Sequence, residues 1–352
     1  MLVSEKKFDF EFYYSKQPLN GIKPYQPPAN YKYRHKLHNI KNYFFKGILI
    51  WQSSVLSIVI KKEFDIAFFM GDMSVISTWI GALICRLRKK RVVYWGHGIY
   101  GNESFYKLFF RLLFLKLAHV NLVYENRAKK LLLGMGFKKE KLIVIYNSLN
   151  YDLQYKYFNK LLKGNKYRSP FKESNIPTIL FIGRLTRLKK IDQLIKCIER
   201  INKLQPNVNM LIIGDGPEKE KLKNLCSLIL DKKRYIFLGA IYDEEKLAKF
   251  LFNSSLCVSP GNIGLTAIHS LSYGTPVVSH DNLINQMPEV EAIVDGENGF
   301  LFKENNIENL AEKISCWIQD KKSNKKKIRR IIEEKYNPHY QKKIIDNLII
   351  NG

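Results

Sequence analysis

Ser259-Pro-Gly-Asn-Ile-Gly-Leu-Thr-Ala-Ile-His-Ser-Leu-Ser-Tyr-Gly-Thr-Pro-Val-Val278 reads as a strand end, a glycine turn, a short helix, a second glycine turn and a new buried strand. A helix opening at Gly264-Leu265-Thr266 presents unpaired backbone N–H groups. Its positive end is a natural seat for a phosphate.

Upstream, Ile179-Leu-Phe-Ile-Gly-Arg-Leu-Thr-Arg-Leu-Lys-Lys190 begins as a continuous apolar run ending in glycine, the pattern of a strand buried on both faces. Ile191, Leu194, Ile195 and Ile198 then follow helical spacing. Arg184 and Lys189 lie between the two, at the carboxyl end of the strand, where open parallel sheets bind ligands. A planar guanidinium and a mobile ammonium suit a pyrophosphate. The plain alternative is a solvated basic loop through Arg184, Arg187, Lys189 and Lys190; the glycine turn downstream favours a ligand loop. Gly214-Asp-Gly-Pro217 lacks the third glycine of a dinucleotide fingerprint and reads as a structural turn with Pro217 in a first helical turn.

Six elements in order and spacing make residues 176–320 resemble the nucleotide-sugar-binding half of a family 4 glycosyltransferase of the GT-B fold. They are Gly183-Arg184-Leu185 with Lys189, Leu211-Ile-Ile-Gly-Asp-Gly-Pro217, Ile236-Phe-Leu-Gly239, Ser259-Pro260 with Gly264-Leu265, Gly274-Thr-Pro-Val-Val278, and Gly296-Glu-Asn-Gly-Phe300. The resemblance implies a donor site formed by Gly183, Gly261, Asn262, Gly264, Leu265, His269 and Glu289. The family carries Glu-x7-Glu here, the first touching the donor sugar and the second the ribose. This chain has Gly261 and His269 at those positions. His269 is either a packed helix residue or a ribose contact, since a neutral imidazole has one donor and one acceptor. At Gly261 the backbone or Asn262 must serve. Glu289, in Met287-Pro-Glu-Val-Glu-Ala-Ile293, either caps the helix that Pro288 begins or grips sugar or ribose hydroxyls.

The amino-terminal half repeats strand and helix: strands over 8–14, 64–71, 91–96, 120–124 and 142–146, helices over 48–62, 74–88 and 126–135. Such repetition implies a parallel sheet with right-handed crossovers. With 352 residues the chain accommodates two domains. The expected fold is therefore α/β, GT-B, two doubly wound Rossmann-like domains facing a central cleft: 1–165 on the acceptor side, 166–339 binding the nucleotide sugar, and 340–352 crossing back onto the first. Residues 151–175 read as a polar, basic linker. The first strand found is 8–14 and the first glycine Gly21, so the family's opening strand and glycine loop are expected to be missing. Trp95-Gly96-His97-Gly98 ends a strand, and glycine on both sides lets backbone approach a ligand. By resemblance His97 stands near the donor sugar, with Asn102 and Glu103 as weaker candidates toward the acceptor; a satisfied structural histidine is the alternative.

Five widely spaced cysteines with no Cys-x-x-Cys pair read as reduced, mostly buried thiols. The start lacks a signal-peptide core, and no apolar run nears membrane-spanning length. The net charge of +26 fits either nucleic acid or an anionic membrane leaflet. No zinc-finger or RNA-binding signature occurs, although Tyr31–Lys36 and His38–Lys46 interleave basic residues with aromatics. Ser104-Phe-Tyr-Lys-Leu-Phe-Phe-Arg-Leu-Leu-Phe-Leu-Lys-Leu-Ala118 reads as a helix, either in the core or lying in a membrane interface with Lys107 and Arg111 toward headgroups.

The resemblance implies sugar transfer from a nucleotide diphosphate sugar to a hydroxyl of a growing, polyisoprenyl-linked glycan, with retention of configuration, in bacterial surface-polysaccharide assembly. His97, Arg184 and Lys189 are the expected catalytic residues. No Asp-x-Asp occurs, so neither metal nor cofactor is demanded. The expected location is cytoplasmic, peripheral on the inner face of the membrane, with no nucleic acid bound. A sugar-nucleotide epimerase on the same fold and a basic nucleic-acid-binding protein are the competing classes.

Overall fold

The computed structural model describes residues 2, 7–17, 32–164, 167–204, 208–319 and 324–351; Gly21 and Tyr31 lie outside the described residues. Its contacts divide the chain into two units, Met1–Ile145 with Gln341–Gly352, and Tyr146–Tyr340.

In the first unit, β1 (Phe12–Tyr14) pairs in parallel with β2 (Leu37–Asn39), apart from the main sheet. β3 (Asn42–Phe45) and β4 (Leu49–Gln52) form an antiparallel hairpin turning through Lys46 and Gly47, both at positive φ. α1 (Val55–Lys61), β5 (Ile66–Met70), α2 (Ile76–Leu87), β6 (Arg91–Gly96), α3 (Phe105–Lys116), β7 (Val120–Val123), α4 (Asn126–Gly134) and β8 (Leu142–Val144) follow, and β5-β6-β7-β8 form a parallel sheet. Two expectations need correction. The helix over 48–62 is only Val55–Lys61, because the apolar run before it finds a strand partner in Asn42–Phe45. The strand over 8–14 shrinks to Phe12–Tyr14.

The second unit opens with α5 (Tyr151–Lys163), where a linker was expected. Its buried face is Gln154, Phe158 and Leu161, spaced i, i+4, i+7, and the polar first member hides the apolar period. Then come β9 (Thr178–Ile182), α6 (Ile191–Leu204), β10 (Asn209–Ile213), α7 (Lys219–Ile229), β11 (Tyr235–Gly239), α8 (Glu244–Asn253), β12 (Leu256–Ser259), α9 (Thr266–Ser272), β13 (Val277–His280), β14 (Gly299–Phe302), α10 (Ile307–Gln319) and α11 (Lys325–Glu334). The six strands are all parallel, in the order β11-β10-β9-β12-β13-β14. β9, β10 and β12 are almost wholly apolar and buried, with one apolar cluster on each face of the sheet. Burial on both faces is what a parallel sheet requires. Gly274, at φ +65°, ends α9 as the helix-terminating glycine read in the sequence. Fully buried Arg329 donates to the carbonyl of Ser272 at that same helix end, with the rings of Tyr151, Tyr155 and Phe158 around it at 4.9–5.2 Å. A cation there complements the helix dipole. α12 (Pro338–Ile350) follows the break at Asn337-Pro338, and its Ile345 and Leu348 pack with Val93, Val120, Leu122 and Ile145 of the first unit's core.

Candidate functional site

In the second unit the strand order reverses between β9 and β12. Ligands of doubly wound sheets bind outside the strand carboxyl ends at such a reversal. Both loops singled out in the sequence leave the sheet there: 183–190 after β9 and 260–265 after β12.

The first loop rests on the Gly214–Pro217 turn. The Leu185 N–H donates to the Asp215 carbonyl (2.9 Å), and the Glu218 N–H donates to the Leu185 carbonyl (3.0 Å). A Cβ on residue 214 would fall 1.8 Å from the Gly183 oxygen, so only glycine allows this approach. The turn is thus structural, and it is what holds the Arg184 loop. Leu185 is buried while Arg184 beside it is exposed. Arg187–Lys189 make one 3-10 turn that delivers Lys189 inward before α6.

The second loop lies directly on the first. The Gly261 N–H donates to the Lys189 carbonyl (3.0 Å), and a Cβ at 261 would meet the Leu188 oxygen at 2.0 Å. The position where the resembled family carries its first acid is therefore the contact point of two backbones. Lys189 Nζ donates to the Asn262 carbonyl (2.7 Å). Burial pushes the Lys189 ammonium pKa down, against the opposing charge of Glu289. Gln286, absent from the residues expected at the site, fastens this loop. Its Oε1 accepts from the Ile263 N–H (2.7 Å), and its Nε2 donates to Ser279 Oγ (2.8 Å) and the His280 carbonyl (2.9 Å). A lone glutamine in a polar stretch carries no signal of such a role.

Glu289 stands in the first turn of the 3-10 helix Pro288–Ala292, where Pro288 was expected to open a helix. Its carboxylate is buried: Oε1 accepts from Asn147 Nδ2 (2.9 Å), and Oε2 has no partner among the described residues. That oxygen lies 3.9 Å from where a side chain on Gly264 would begin. Burial raises the Glu289 pKa, with Asn147 and Lys189 pulling the other way. Gly264 and exposed Leu265 precede α9 as read, and Thr266 Oγ1 donates to the Ile182 carbonyl (3.2 Å). Lys189, Asn262, Gly264 and Glu289 therefore come together. His269 stands one turn further on and is engaged with Glu244 on α8 (Nε2 to Oε1, 2.9 Å).

In the first unit, His97 follows β6. Its ring packs against Tyr124 (5.0 Å, edge-on) and Tyr100 (5.5 Å), and its buried Nδ1 has no partner among the described residues. Burial, with Arg111 nearby, lowers its pKa, so the ring is neutral at neutral pH. Glu103 does not stand free for an acceptor. Its buried carboxylate accepts from the N–H groups of Tyr100 and Gly101 (2.8 Å each) and from Arg111 (2.7 Å). Arg111 is thereby tied down and does not reach outward with Lys107. α3 buries Phe114 and Leu115 and leaves Phe105, Tyr106, Phe109, Phe110 and Leu113 exposed, the first two at 77%. Among the described residues no cluster of three or more His, Cys, Asp or Glu is placed to hold a metal, and no helix is long and apolar enough to cross a membrane.

The family described as Glycosyl transferases group 1 matches residues 163–337, which span both loops and α9. A glycosyltransferase of Haemophilus influenzae described as uncharacterized is 31% identical over 204 residues, 56% of this chain and 52% of that protein. The chain thus spans about half the length of that curated relative. Anabaena HepE, solved in complex with UDP, aligns with a TM-score of 0.68 at 18% identity, covering 90% of this chain and 87% of its own. The apo form of WaaB, a lipopolysaccharide outer core galactosyltransferase, aligns with a TM-score of 0.65 at 19% identity, covering 84% and 78%. At these identities the structural likeness speaks to fold. Residues 163–337 thus form a glycosyl transferases group 1 domain, in a chain with the fold of the GT-B glycosyltransferases.

Proposed function

We propose that this protein transfers a sugar from a nucleoside diphosphate sugar to a hydroxyl of a glycan acceptor, with retention of configuration. The observation that carries this reading is the pairing of exposed Arg184 with Lys189 in one loop, braced against the Gly261–Leu265 loop at the reversal point of the sheet. Charge builds on the diphosphate as the bond to the anomeric carbon breaks, and preorganised cations are worth most against charge that develops in the transition state. Arg184 offers a planar fork to the phosphate oxygens, and Lys189, held on the Asn262 carbonyl, supplies a second charge. The acceptor oxygen attacks the anomeric carbon from the face the diphosphate leaves, and the acceptor proton passes to a departing phosphate oxygen. Gly183, Gly261, Asn262, Gly264 and Leu265 supply the backbone around the donor, His269 takes the ribose, and neutral His97 offers hydrogen bonds to the sugar. The two side-chain cations meet the diphosphate charge without a metal, so turnover persists in EDTA.

A uridine nucleotide is the first donor to test, because HepE was solved with UDP. The likeness to WaaB, a lipopolysaccharide galactosyltransferase, favours a surface-polysaccharide acceptor. The exposed aromatic face of α3 and the net charge of +26 favour work at the cytoplasmic face of an anionic membrane on a lipid-linked glycan. Ligand-observed NMR with UDP, GDP, CDP and their sugar conjugates tests the reading. One nucleoside diphosphate binds selectively to the wild type and is lost in Arg184→Ala/Lys189→Ala. Folded wild type that binds none of them, or a double variant that binds equally well, sinks it. Release of a free epimerised sugar nucleotide without transfer would assign the site to epimerisation instead.

A further inference from the structure

One peptide plane, between Asn262 and Ile263, is held at both ends by side chains from other segments. Its carbonyl accepts from Lys189 Nζ (2.7 Å), and its N–H donates to Gln286 Oε1 (2.7 Å). A backbone N–H only donates, so the Gln286 amide is oriented with its oxygen on Ile263. Its Nε2 then donates to Ser279 Oγ (2.8 Å) and the His280 carbonyl (2.9 Å), which fix it to the end of β13. The Gln286 side chain is buried, with its oxygen and both Nε2 hydrogens engaged, so it is closed to a ligand. The peptide unit is rigid and planar. Turning it over swings the carbonyl away from Lys189 and brings the N–H, a second donor, toward the ammonium. Glycine at 261 and 264 gives the loop backbone little steric restraint of its own. Linked hydrogen bonds also polarise one another, so an acceptor on the N–H strengthens the carbonyl of the same peptide. Ser259 Oγ, at 3.4 Å, is a weaker second donor to that carbonyl.

We propose that Gln286 is a positioning residue: by holding the Ile263 N–H it aims the carbonyl of the same peptide at Lys189 and keeps the ammonium at the diphosphate seat. This rests on the nucleotide-sugar reading above and adds a residue that touches neither donor nor acceptor. Lys189 is buried, which disfavours its charge, and Glu289 is the opposing charge that acts on it. The Asn262 carbonyl is the dipole that Nζ meets, so the charge of the ammonium depends on how that carbonyl is aimed. Without Gln286, Lys189 gives up its proton at lower pH and the diphosphate loses a cation.

The test titrates inorganic pyrophosphate and UDP into wild type and Gln286→Met from pH 7 to pH 10, with a melting curve at each pH. Each affinity is taken relative to Lys189→Met at the same pH, which cancels the ionisation of the ligand itself. Wild type holds its advantage over Lys189→Met at pH 7 and loses it as pH rises and Lys189 deprotonates. Gln286→Met binds about tenfold more weakly at pH 7, and its remaining advantage disappears about one pH unit earlier than in wild type. Gln286→Asn, one methylene shorter, withdraws the oxygen from Ile263 with less disturbance and serves if Gln286→Met does not fold. Affinity lowered by one factor at every pH, with the alkaline loss unmoved, would make Gln286 a packing residue only and overturn the proposal. So would a variant that binds as wild type does, and in that case the donor site still stands. If folded wild type binds neither pyrophosphate nor any nucleoside diphosphate, the donor site itself is wrong and this inference goes with it.

Discussion

A single glycine shows how the residue scale governs this site. Position 261 has no side chain because the Leu188 carbonyl occupies the place where one would begin, at 2.0 Å. Restoring the acid that the resembled family carries is therefore expected to harm rather than help. Gly261→Glu must separate the two loops, breaking the Gly261-to-Lys189 hydrogen bond and moving Lys189. Overpacking against backbone costs about 1–3 kcal/mol, so the variant should melt earlier and lose nucleotide affinity together. A melting curve and a titration on Gly261→Glu settle this; wild-type stability with raised activity would refute it.

At the scale of elements, Glu304, just past β14, gathers segments from different parts of the sheet. It accepts from Lys190 at the start of α6 (2.7 Å), from Asn282 (2.7 Å) and from Asn285 (3.2 Å) beyond β13. The Lys190 ammonium, then Asn282 and Asn285, hold its carboxyl down at about 2, against 4.5 when free. The folded pKa is the lower one, so its stabilisation is complete above pH 4.5 and is lost as pH falls through about 2. For a pair that stays partly in contact with water, up to about 1 kcal/mol is the scale. Glu304→Gln should therefore lower Tm at pH 7 by roughly 1–3 °C and converge on wild type near pH 2. A Tm difference that does not change between pH 7 and pH 2 would remove the charge from the explanation.

At the scale of the whole molecule, a net charge of +26 and the uncovered aromatic face of α3 belong to one prediction. Basic protein is drawn to an anionic leaflet over the Debye length, and aromatic side chains then enter the interface. The protein should co-sediment with vesicles rich in phosphatidylglycerol, release at high salt, and ignore phosphatidylcholine vesicles. Phe109→Ser/Phe110→Ser should weaken vesicle binding several-fold while leaving nucleotide binding intact. Equal binding by this variant would move the contact elsewhere on the surface.

The sequence by itself determined the elements whose instructions are local. The apolar runs of β9, β10 and β12, the glycine turn at Gly274 and the break at Asn337-Pro338 each follow from residues within a few positions of one another. The meeting of the Lys189 loop with the Gly261–Leu265 loop follows in the same way, because strand ends in a parallel sheet share one edge. Tertiary structure decided what depends on distant partners. Ile48–Gln52 joined a hairpin because Asn42–Phe45 was there to pair, and α5 was hidden by a polar member of its buried face. Glu103 turned out to be occupied by its own loop and Arg111, and Glu289 lost its access to water beneath Gly264. Glu244 and Gln286 gained their importance only when folding brought them to His269 and Ile263, 25 and 23 residues away. Side-chain partnership at that separation is set by packing, and no local pattern of residues encodes it.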